Sequence, residues 1–275
     1  MDVPLSAVRA IIEAALAEDV GWGDITTRSL VPPEHQGRAQ ALVKGEGILC
    51  GTEVFALAFT VWDPALKVDL LMREGSPIRR GDIVAKVEGS ASSILTAERV
   101  ALNFLQRLSG VATMTRRFVQ EVGDLPTRVL ETRKTTPGLR LLEKYAVRVG
   151  GGSNHRYNLS DGILIKDNHL AVLRAYGGDL REAITLARRG APLTIKVEVE
   201  VTSVGEARTA AEAGAASRGA GRGASGAARG SRSAAPTRGV VRDDDRPGHN
   251  APLQPACRGC GAGRPAAAPH LGCVV

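Results

Sequence analysis

The sequence predicts an α/β protein, with helices and strands mixed in its first half and alternating in its second half. Residues 5–18 place apolar side chains at helical spacing, and Leu193 to Val201 alternate between apolar and polar residues without a fault. Around the second pattern, strand-like segments alternate with helix-like segments, which is typical of parallel βα units. An open α/β sheet or barrel is therefore predicted from residue 128 onward.

The first part of the chain is predicted to be α+β. A second long helical pattern covers about residues 93–122, and we expect it to break near Ser109 and Gly110. Strand-like runs and one hairpin pattern, punctuated by Gly and Pro, occupy residues 38–44, 68–72 and 74–89.

In the second part, three strands are predicted at residues 128–132, 163–165 and 193–201. Three helices are predicted from their N-terminal signals, which are Thr136 before Pro137, Asp179 with Glu182, and Ser203 with Glu206. No further strand is predicted after Ala215.

The net charge of +7 is concentrated at the end of the chain. Residues 216–275 hold nine Arg and three Asp without Lys or Glu, so the preceding 215 residues are nearly neutral. A nearly neutral body is expected of an enzyme with a small substrate. Nucleic-acid binding by the tail is a weak alternative, because the tail has no aromatic residues and no predicted fold.

No segment approaches twenty apolar residues, and the N-terminus lacks a hydrophobic signal core. We therefore expect a cytoplasmic protein that does not bind membranes. Cys50 is the single cysteine before residue 216, which excludes a disulfide framework there. In the tail, Cys257, Cys260, His270 and Cys273 could be forced into a zinc site by their spacing, but we interpret them as an accidental cluster.

Residues 216–275 differ in composition from the rest of the chain. Ala, Gly, Arg, Pro and Ser supply 43 of these 60 residues. Such a segment cannot bury enough apolar surface to offset its chain entropy, so we expect it to be disordered.

Side chains suited to anion binding follow the predicted strands. Arg133 and Lys134 stand where a strand meets a helix N-terminus, whose N–H groups and dipole favour an anion. His155 and Arg156 follow a glycine turn, and Lys166 follows an apolar strand. Each alone could be a surface charge, but their succession predicts a deep basic pocket for a small, multiply charged anion.

The alternation from Leu193 to Val201 divides the last predicted strand into two faces. In a barrel, outward side chains pack under helices and chemistry occurs at the C-terminal mouth. The apolar residues would then face the helices, whereas Lys196, Glu198 and Glu200 would face inward, with Glu200 nearest the mouth. The alternative is a solvated edge strand with a charged outer face.

Together these motifs resemble the quinolinate phosphoribosyltransferase family in order and spacing, from residue 1 to about 215. The matching segments are Glu18-Asp-Val-Gly-Trp-Gly-Asp-Ile-Thr-Thr27, Thr96-Ala-Glu-Arg-Val-Ala-Leu-Asn103, Glu131-Thr-Arg-Lys-Thr-Thr-Pro-Gly-Leu-Arg140, Glu143-Lys-Tyr-Ala-Val147, Gly150-Gly-Gly-Ser-Asn-His-Arg156, Lys166-Asp-Asn-His169 and Glu198-Val-Glu200.

The resemblance implies an N-terminal α/β sandwich domain at residues 1–110 and an open α/β barrel at residues 111–215. In this chain the barrel would be incomplete, because it lacks its last strands. The resemblance also implies a homodimer with shared active sites, with a hexamer as a larger alternative. Arg99 resembles the arginine that the partner subunit donates.

The remaining site residues also follow from the resemblance. Those implied to hold the two quinolinate carboxylates are Arg133, His155, Arg156 and Lys166, with Thr132 as a further substrate contact. Lys134 and Lys166 resemble contacts to phosphoribosyl pyrophosphate. Glu200 resembles one of two carboxylates that handle the ribose hydroxyls, directly or through Mg²⁺. Lys134, Lys166 and Glu200 are thus the implied catalytic residues, with no metal site formed by the protein alone.

The implied reaction converts quinolinate and phosphoribosyl pyrophosphate to nicotinate mononucleotide, pyrophosphate and CO₂, a step of NAD biosynthesis. Mg²⁺ and lysines would stabilise the leaving pyrophosphate. One alternative is a related phosphoribosyltransferase with another ring specificity. A second is an inactive family member that binds quinolinate or pairs with an intact subunit.

After Glu200 the chain departs from the family pattern. The family's Leu-Asp-Asn strand end, Ser-Gly-Gly turn and Gly-Ala-Leu-Thr-His segment are absent here. The acidic run at residues 243–245 superficially resembles another phosphoribosyltransferase class, but the apolar run before it is too short. We interpret residues 216–275 as an aberrant tail, caused by a frameshift in a GC-rich gene or by an equivalent sequencing error. We therefore expect little or no activity from the present chain.

Overall fold

The computed structural model describes residues 1–219 and 271–274, with side chains described for residues 1–215. The described residues form two compact units. The first unit contains residues 1–121 and 135–153 with the strand at 271–274, and the second contains residues 122–134 and 154–219. Both units contain helices and sheet strands, which confirms the predicted α/β class. The predicted domain boundary at residue 110 stays a prediction.

Eight helices are present among the described residues. They are α1 (Leu5–Val20), α2 (Ile25–Leu30), α3 (Thr52–Trp62), α4 (Ala91–Val122), α5 (Arg140–Val149), α6 (Asp167–Ala175), α7 (Leu180–Gly190) and α8 (Val204–Glu212). None of these helices is long and apolar enough to cross a membrane.

The same part of the chain forms nine strands. They are β1 (Gln36–Val43), β2 (Gly47–Ile48), β3 (Lys67–Leu70), β4 (Pro77–Ile78), β5 (Ile83–Ser90), β6 (Ile163–Ile165), β7 (Val197–Val201), β8 (Ala216–Gly219) and β9 (Leu271–Val274). They build an antiparallel sheet in the order β3-β5-β1-β9, a β2-β4 pair, and a parallel sheet in the order β6-β7-β8.

The first unit is stabilised by an apolar core between its main sheet and its helices. Ala39 on β1 pairs with Val87 on β5, and both side chains are buried. On α3, Phe55 and Phe59 are almost fully buried, and their rings meet edge to face with centroids 5.1 Å apart. Burial of two aromatic side chains at one helix face stabilises the unit by several kcal/mol, at about 2 kcal/mol for each ring.

The expected break in the long helix near Ser109 and Gly110 is wrong, because α4 continues from Ala91 to Val122. Ser109 is fully buried, and its hydroxyl accepts a hydrogen bond from the backbone N–H of Cys50 and donates one to the Cys50 carbonyl. A tertiary contact thus satisfies the polar side chain inside the helix, where local propensity alone favours a break.

The second unit has the predicted parallel βα organisation. The side chains of Val197, Val199 and Val201 are buried in one apolar cluster with residues of α6, α7 and α8. The prediction that the apolar face of this strand packs under helices is therefore confirmed for these three valines, whereas Leu193 is fully exposed and lies before the strand. The capping signals are confirmed as well, since Asp179 accepts the Glu182 N–H and Ser203 accepts the Glu206 N–H.

Two predicted strands differ in the structure. In residues 128–132 only Leu130 makes a β-bridge, and the Thr132 hydroxyl accepts the Lys134 N–H in a local turn that competes with strand pairing. The strand predicted at residues 193–201 begins at Val197, because Ile195 N–H turns back to the Pro192 carbonyl.

The helix predicted to begin at Thr136 and Pro137 begins at Arg140 instead. The Thr136 hydroxyl donates to the Glu143 carboxylate, and that carboxylate also accepts the Thr136 N–H. The threonine is therefore held by a side chain seven residues later and does not cap a helix at residue 137.

The prediction that no strand follows Ala215 is also wrong. Ala216–Gly219 pairs in parallel with β7, and Leu271–Val274 pairs antiparallel with β1, so the predicted disorder does not hold at these two places. The rest of the tail lies outside the described residues, as do Cys257, Cys260 and His270 of the zinc alternative and the acidic run at residues 243–245.

Candidate active site

Lys166 and Glu200 lie at the carboxyl ends of two adjacent parallel strands in the second unit. Ile165 on β6 pairs with Val199 on β7, so the next residue of each strand emerges at the same edge of the sheet. Lys166 Nζ is 3.6 Å from Glu200 Oε1, and only 12 % of the Glu200 side chain is exposed. Lys166 and Glu200 therefore lie together, and Glu200 is on the face opposite the buried valines, as the alternation predicted.

His155 lies in the same unit and is held by two carboxylates. Its Nε2 is 2.9 Å from Glu198 Oε2, and Glu198 pairs with Leu164 in the parallel sheet. Its backbone N–H donates to both oxygens of Glu131, at 2.9 and 3.1 Å. Both the main chain and the ring of His155 are therefore fixed by other segments of the unit.

Arg133 and Lys134 lie in the loop that follows Leu130. Arg133 is half-buried, and its buried Nε has no hydrogen-bond partner among the described residues. A buried N–H donor of a charged group without a partner is costly, which favours an anionic ligand at this position. Lys134 is exposed, and the turn made by the Thr132 hydroxyl shapes its backbone.

Arg156 is half-buried next to His155. One of its guanidinium nitrogens donates to the Gly162 carbonyl at 2.8 Å. Gly162 directly precedes β6, so this bond holds the guanidinium group against the start of that strand. Arg156 thus has a defined orientation.

Arg99 is exposed on α4 in the first unit, outside the cluster formed by the second unit. One turn earlier on α4, the Thr96 hydroxyl donates to Asp24 at 3.4 Å. Asp24 caps α2, and hydrogen bonds from the side chain and backbone of Thr27 lower the pKa of its carboxyl. This network ties α2 to the helix that carries Arg99.

The loop after Lys134 is anchored in the first unit. Glu143 is buried, and its carboxylate accepts hydrogen bonds from Arg107 at 2.6 and 3.1 Å and from the backbone and hydroxyl of Thr136. Burial raises the pKa of Glu143, but the bonds from Arg107 and Thr136 outweigh burial and leave the pKa below its usual range. Glu143 is therefore a carboxylate at neutral pH.

Within the second unit the arrangement suits a small anion. Arg133, Arg156 and Lys166 supply positive charge in this unit, and Glu198 and Glu200 contact His155 and Lys166. Among the described residues, no three His, Cys, Asp or Glu side chains are grouped to hold a metal ion.

Sequence reasoning identified the cations of this cluster, but it assigned no role to Glu131 or Glu198. The strict alternation before Val201 already placed Glu198 on the inward face, beside Glu200. Glu131 had no such signal, because its partner is the backbone of a residue 24 positions later.

An α/β unit with cations and carboxylates at the ends of parallel strands is typical of proteins that bind small anions. Comparison with protein-family models identifies the family. The model of the quinolinate phosphoribosyl transferase N-terminal domain matches residues 24–109, and that of the C-terminal domain matches residues 111–217. The chain belongs to the quinolinate phosphoribosyltransferase family.

Curated relatives agree with this assignment. A probable nicotinate-nucleotide pyrophosphorylase [carboxylating] from Synechocystis is 43 % identical over 71 % of this chain and 64 % of its own length. A protein with the same description from Bacillus subtilis is 41 % identical over 76 % of this chain and 70 % of its own length. The chain thus spans about two thirds of the length of these relatives.

Solved structures show the same likeness. NadC from Streptococcus pyogenes is 45 % identical, with a TM-score of 0.74, over 78 % of this chain and 75 % of that protein. A nicotinate-nucleotide pyrophosphorylase from Francisella tularensis is 37 % identical with a TM-score of 0.71, over 78 % of this chain and 74 % of that protein.

Proposed function

We propose that this chain carries the substrate site of an enzyme that converts quinolinate and phosphoribosyl pyrophosphate to nicotinate mononucleotide, pyrophosphate and CO₂. The observation that carries the proposal is the contact of Lys166 with Glu200 at the ends of adjacent parallel strands, with His155 held by Glu198 of the same sheet. Arg133 and Arg156 lie in loops of the same unit. Quinolinate is a dianion and its partner carries a phosphate and a pyrophosphate, so the site needs fixed positive charge.

In this mechanism Arg133, His155 and Arg156 bind the two ring carboxylates. The buried Nε of Arg133 supplies a donor that the described protein residues do not satisfy. Binding both carboxylates fixes the ring plane, so that the ring nitrogen is directed at C1 of the ribose. Its lone pair forms the new N–C1 bond while the C1–O bond to pyrophosphate breaks.

Lys134 and Lys166 receive the negative charge that develops on the leaving pyrophosphate. Glu200, next to Lys166, accepts hydrogen bonds from the ribose hydroxyls and tolerates the positive charge of the oxocarbenium-like transition state. The pyridinium product then loses its 2-carboxylate as CO₂, and the ring carbon takes a proton. The cationic nitrogen stabilises the electron pair left on that carbon.

Magnesium is part of this proposal as a companion of the donor substrate. Mg²⁺ prefers oxygen ligands and retains waters and phosphate oxygens, so one protein carboxylate is sufficient. Glu200 offers such an oxygen, and when bound the metal would supply charge neutralisation at the pyrophosphate.

We further propose a homodimer in the cytoplasm, in which Arg99 of one subunit completes the site of its partner. The exposure of Arg99 on α4 supports this role. A second candidate function is an inactive family member that binds quinolinate or pairs with an intact subunit. It is favoured by the end of the family match at residue 217 and by the missing phosphate-binding motifs.

Two measurements on the full chain test the proposal. Calorimetry should show quinolinate binding, and an assay of pyrophosphate release with Mg²⁺ and both substrates measures whether turnover accompanies binding. Binding with turnover supports the enzyme, whereas binding without turnover supports the inactive member. Absence of quinolinate binding by a folded chain would refute both.

A further inference from the structure

The backbone of His155 is bound by a carboxylate from another segment of the second unit. Its N–H donates to both oxygens of Glu131, at 2.9 and 3.1 Å, and both residues are half-buried. A hydrogen bond to a charged acceptor in a partly buried place is stronger than a bond between neutral groups. This contact therefore contributes to the position of the His155 backbone.

This contact joins the two loops that carry most of the proposed cradle. Glu131 comes two residues before Arg133 in one loop, and His155 is followed directly by Arg156 in the other. Because the bond is made to the main chain of His155, it fixes the loop itself and not one rotamer.

The ring of His155 is held independently, since Nε2 lies 2.9 Å from Glu198 on β7. Glu131 therefore fixes the loop, whereas Glu198 fixes the ring. Loss of Glu131 should displace Arg156 together with His155, because the two residues are adjacent in the chain.

We propose that Glu131 is a positioning residue that sets the distance between the Arg133 loop and the His155–Arg156 loop to match a ligand with two neighbouring carboxylates. The proposal rests on the function proposed above. Glu131 touches no substrate in this scheme. Its effect reaches the ligand through the cations that it aligns.

A purely electrostatic role and a positioning role of Glu131 predict opposite changes in quinolinate affinity. Glu131 is a negative charge close to an anion site, so its removal should strengthen anion binding if charge alone matters. A positioning role predicts the opposite result, because disordered cations lose their preorganised geometry. It also predicts a larger loss for quinolinate than for nicotinate, which has a single carboxylate.

The experiment compares Glu131→Ala and Glu131→Gln with the unchanged full chain by calorimetry, using quinolinate and nicotinate as probes. We expect about tenfold weaker quinolinate binding in Glu131→Ala and a smaller change for nicotinate. Glu131→Gln keeps one acceptor oxygen and should recover part of the loss. The matched control is Glu212→Ala, which removes an exposed carboxylate that pairs with Arg181 in the same unit.

Hydrogen exchange in the absence of ligand gives a second measurement. A peptide covering residues 153–158 should exchange faster in Glu131→Ala than in the unchanged chain and in Glu212→Ala. Equal or tighter quinolinate binding in Glu131→Ala would overturn the inference, as would equal exchange. If the unchanged chain binds no quinolinate, the proposed function fails, while exchange still decides whether Glu131 holds the loop.

Discussion

Lys166 Nζ and Glu200 Oε1 lie 3.6 Å apart at the ends of adjacent parallel strands. Their proximity follows from the pairing of Ile165 with Val199, which brings the following residue of each strand to the same edge. The contact couples Lys166, which is proposed to bind the pyrophosphate group, to Glu200, which is proposed to bind the ribose hydroxyls. A change in either residue should therefore affect the same substrate.

The first prediction concerns Lys166. Lys166→Ala should weaken binding of phosphoribosyl pyrophosphate with Mg²⁺ by about 2 kcal/mol, because it removes a charged donor and leaves Glu200 with its charge less compensated. The measurement is calorimetric titration of the full chain. Lys196→Ala is the control, since Lys196 is exposed one residue before β7 and should have little effect. Equal losses in both variants would contradict a specific role for Lys166.

The second prediction concerns ring specificity. Arg133→Ala should weaken quinolinate binding by about 2–4 kcal/mol, the range for removing a charged hydrogen-bond partner. Arg181→Ala, which removes an exposed arginine of the same unit, should leave the affinity unchanged. Unchanged quinolinate affinity in Arg133→Ala, or faster turnover of nicotinate by an active chain with this change, would count against the assignment.

The third prediction concerns stability and pH. The carboxyl of Glu143 has its pKa lowered below 4.5 in the folded chain, because bonds from Arg107 and Thr136 outweigh burial. A lowered folded pKa contributes stability that is complete above the unfolded value and is lost as pH falls through the folded value. Glu143→Gln should therefore reduce the free energy of unfolding at pH 7, by about 2 kcal/mol.

Urea unfolding of Glu143→Gln and of the unchanged chain checks this prediction. The difference in unfolding free energy should be constant from pH 7 to about 5 and should shrink as the pH falls below 4.5. Glu121→Gln, on the exposed surface of α4, is the control and should show no such trend. A difference that grows on acidification would contradict the proposed sign.

Features that depend on neighbouring residues could be predicted from the sequence, whereas features that depend on distant residues could not. The caps at Asp179 and Ser203 were predictable, because donor and acceptor lie within three residues of each other. The continuity of α4 was not, because Ser109 is satisfied by Cys50, 59 positions away in the sequence. The Thr136-Pro137 motif suggested a helix start, but the Thr136 N–H and hydroxyl donate to the Glu143 carboxylate and the helix begins at Arg140.

The same distinction applies to the site. Cations after strand-like segments identified Arg133, His155 and Lys166, since each stands beside a local pattern. The carboxylates that orient His155 needed tertiary information, because Glu198 meets it from 43 positions away in the sequence. The strand at residues 216–219 lacks the apolar side chains that usually reveal a buried strand, and only its pairing with β7 shows it.

The fourth prediction is that Arg99 acts on the site of a partner subunit. Mixing Arg99→Ala subunits with Lys134→Ala subunits should restore about a quarter of full activity, since half of the dimers are hybrids with one intact site. The test requires an active chain, and under the frameshift interpretation such a chain is obtained by reading the codons after residue 215 in the frame that encodes the family motifs. Either variant alone should remain inactive. Failure to recover activity despite proven subunit exchange would exclude the shared site.

The last prediction is that residues 216–275 are not a functional module, although two short segments of them form β8 and β9, and that the present chain has little or no activity. Nearly all net charge and three of four cysteines lie after residue 215, and the family match ends at residue 217. The phosphate-binding motifs expected after Glu200 are absent from the sequence. Without them the ribose 5′-phosphate would have no binding site, and the donor substrate would be held only at its pyrophosphate end. Correct orientation of two reactants can lower a reaction barrier by about 7–11 kcal/mol, so the loss of one anchor should be costly.

Expression of the present chain beside a frame-restored chain decides the matter. Pyrophosphate release with quinolinate, phosphoribosyl pyrophosphate and Mg²⁺ should be strong in the restored chain and near background in the present one. The present chain should also aggregate more readily, because β8 completes a sheet of only three described strands and leaves an edge for other chains to pair with. A chain ending at residue 219 tests residues 220–275 with β9, since it should show the same activity as the present chain if these residues have no part in function. Equal activity in the present and restored chains would show that the tail works.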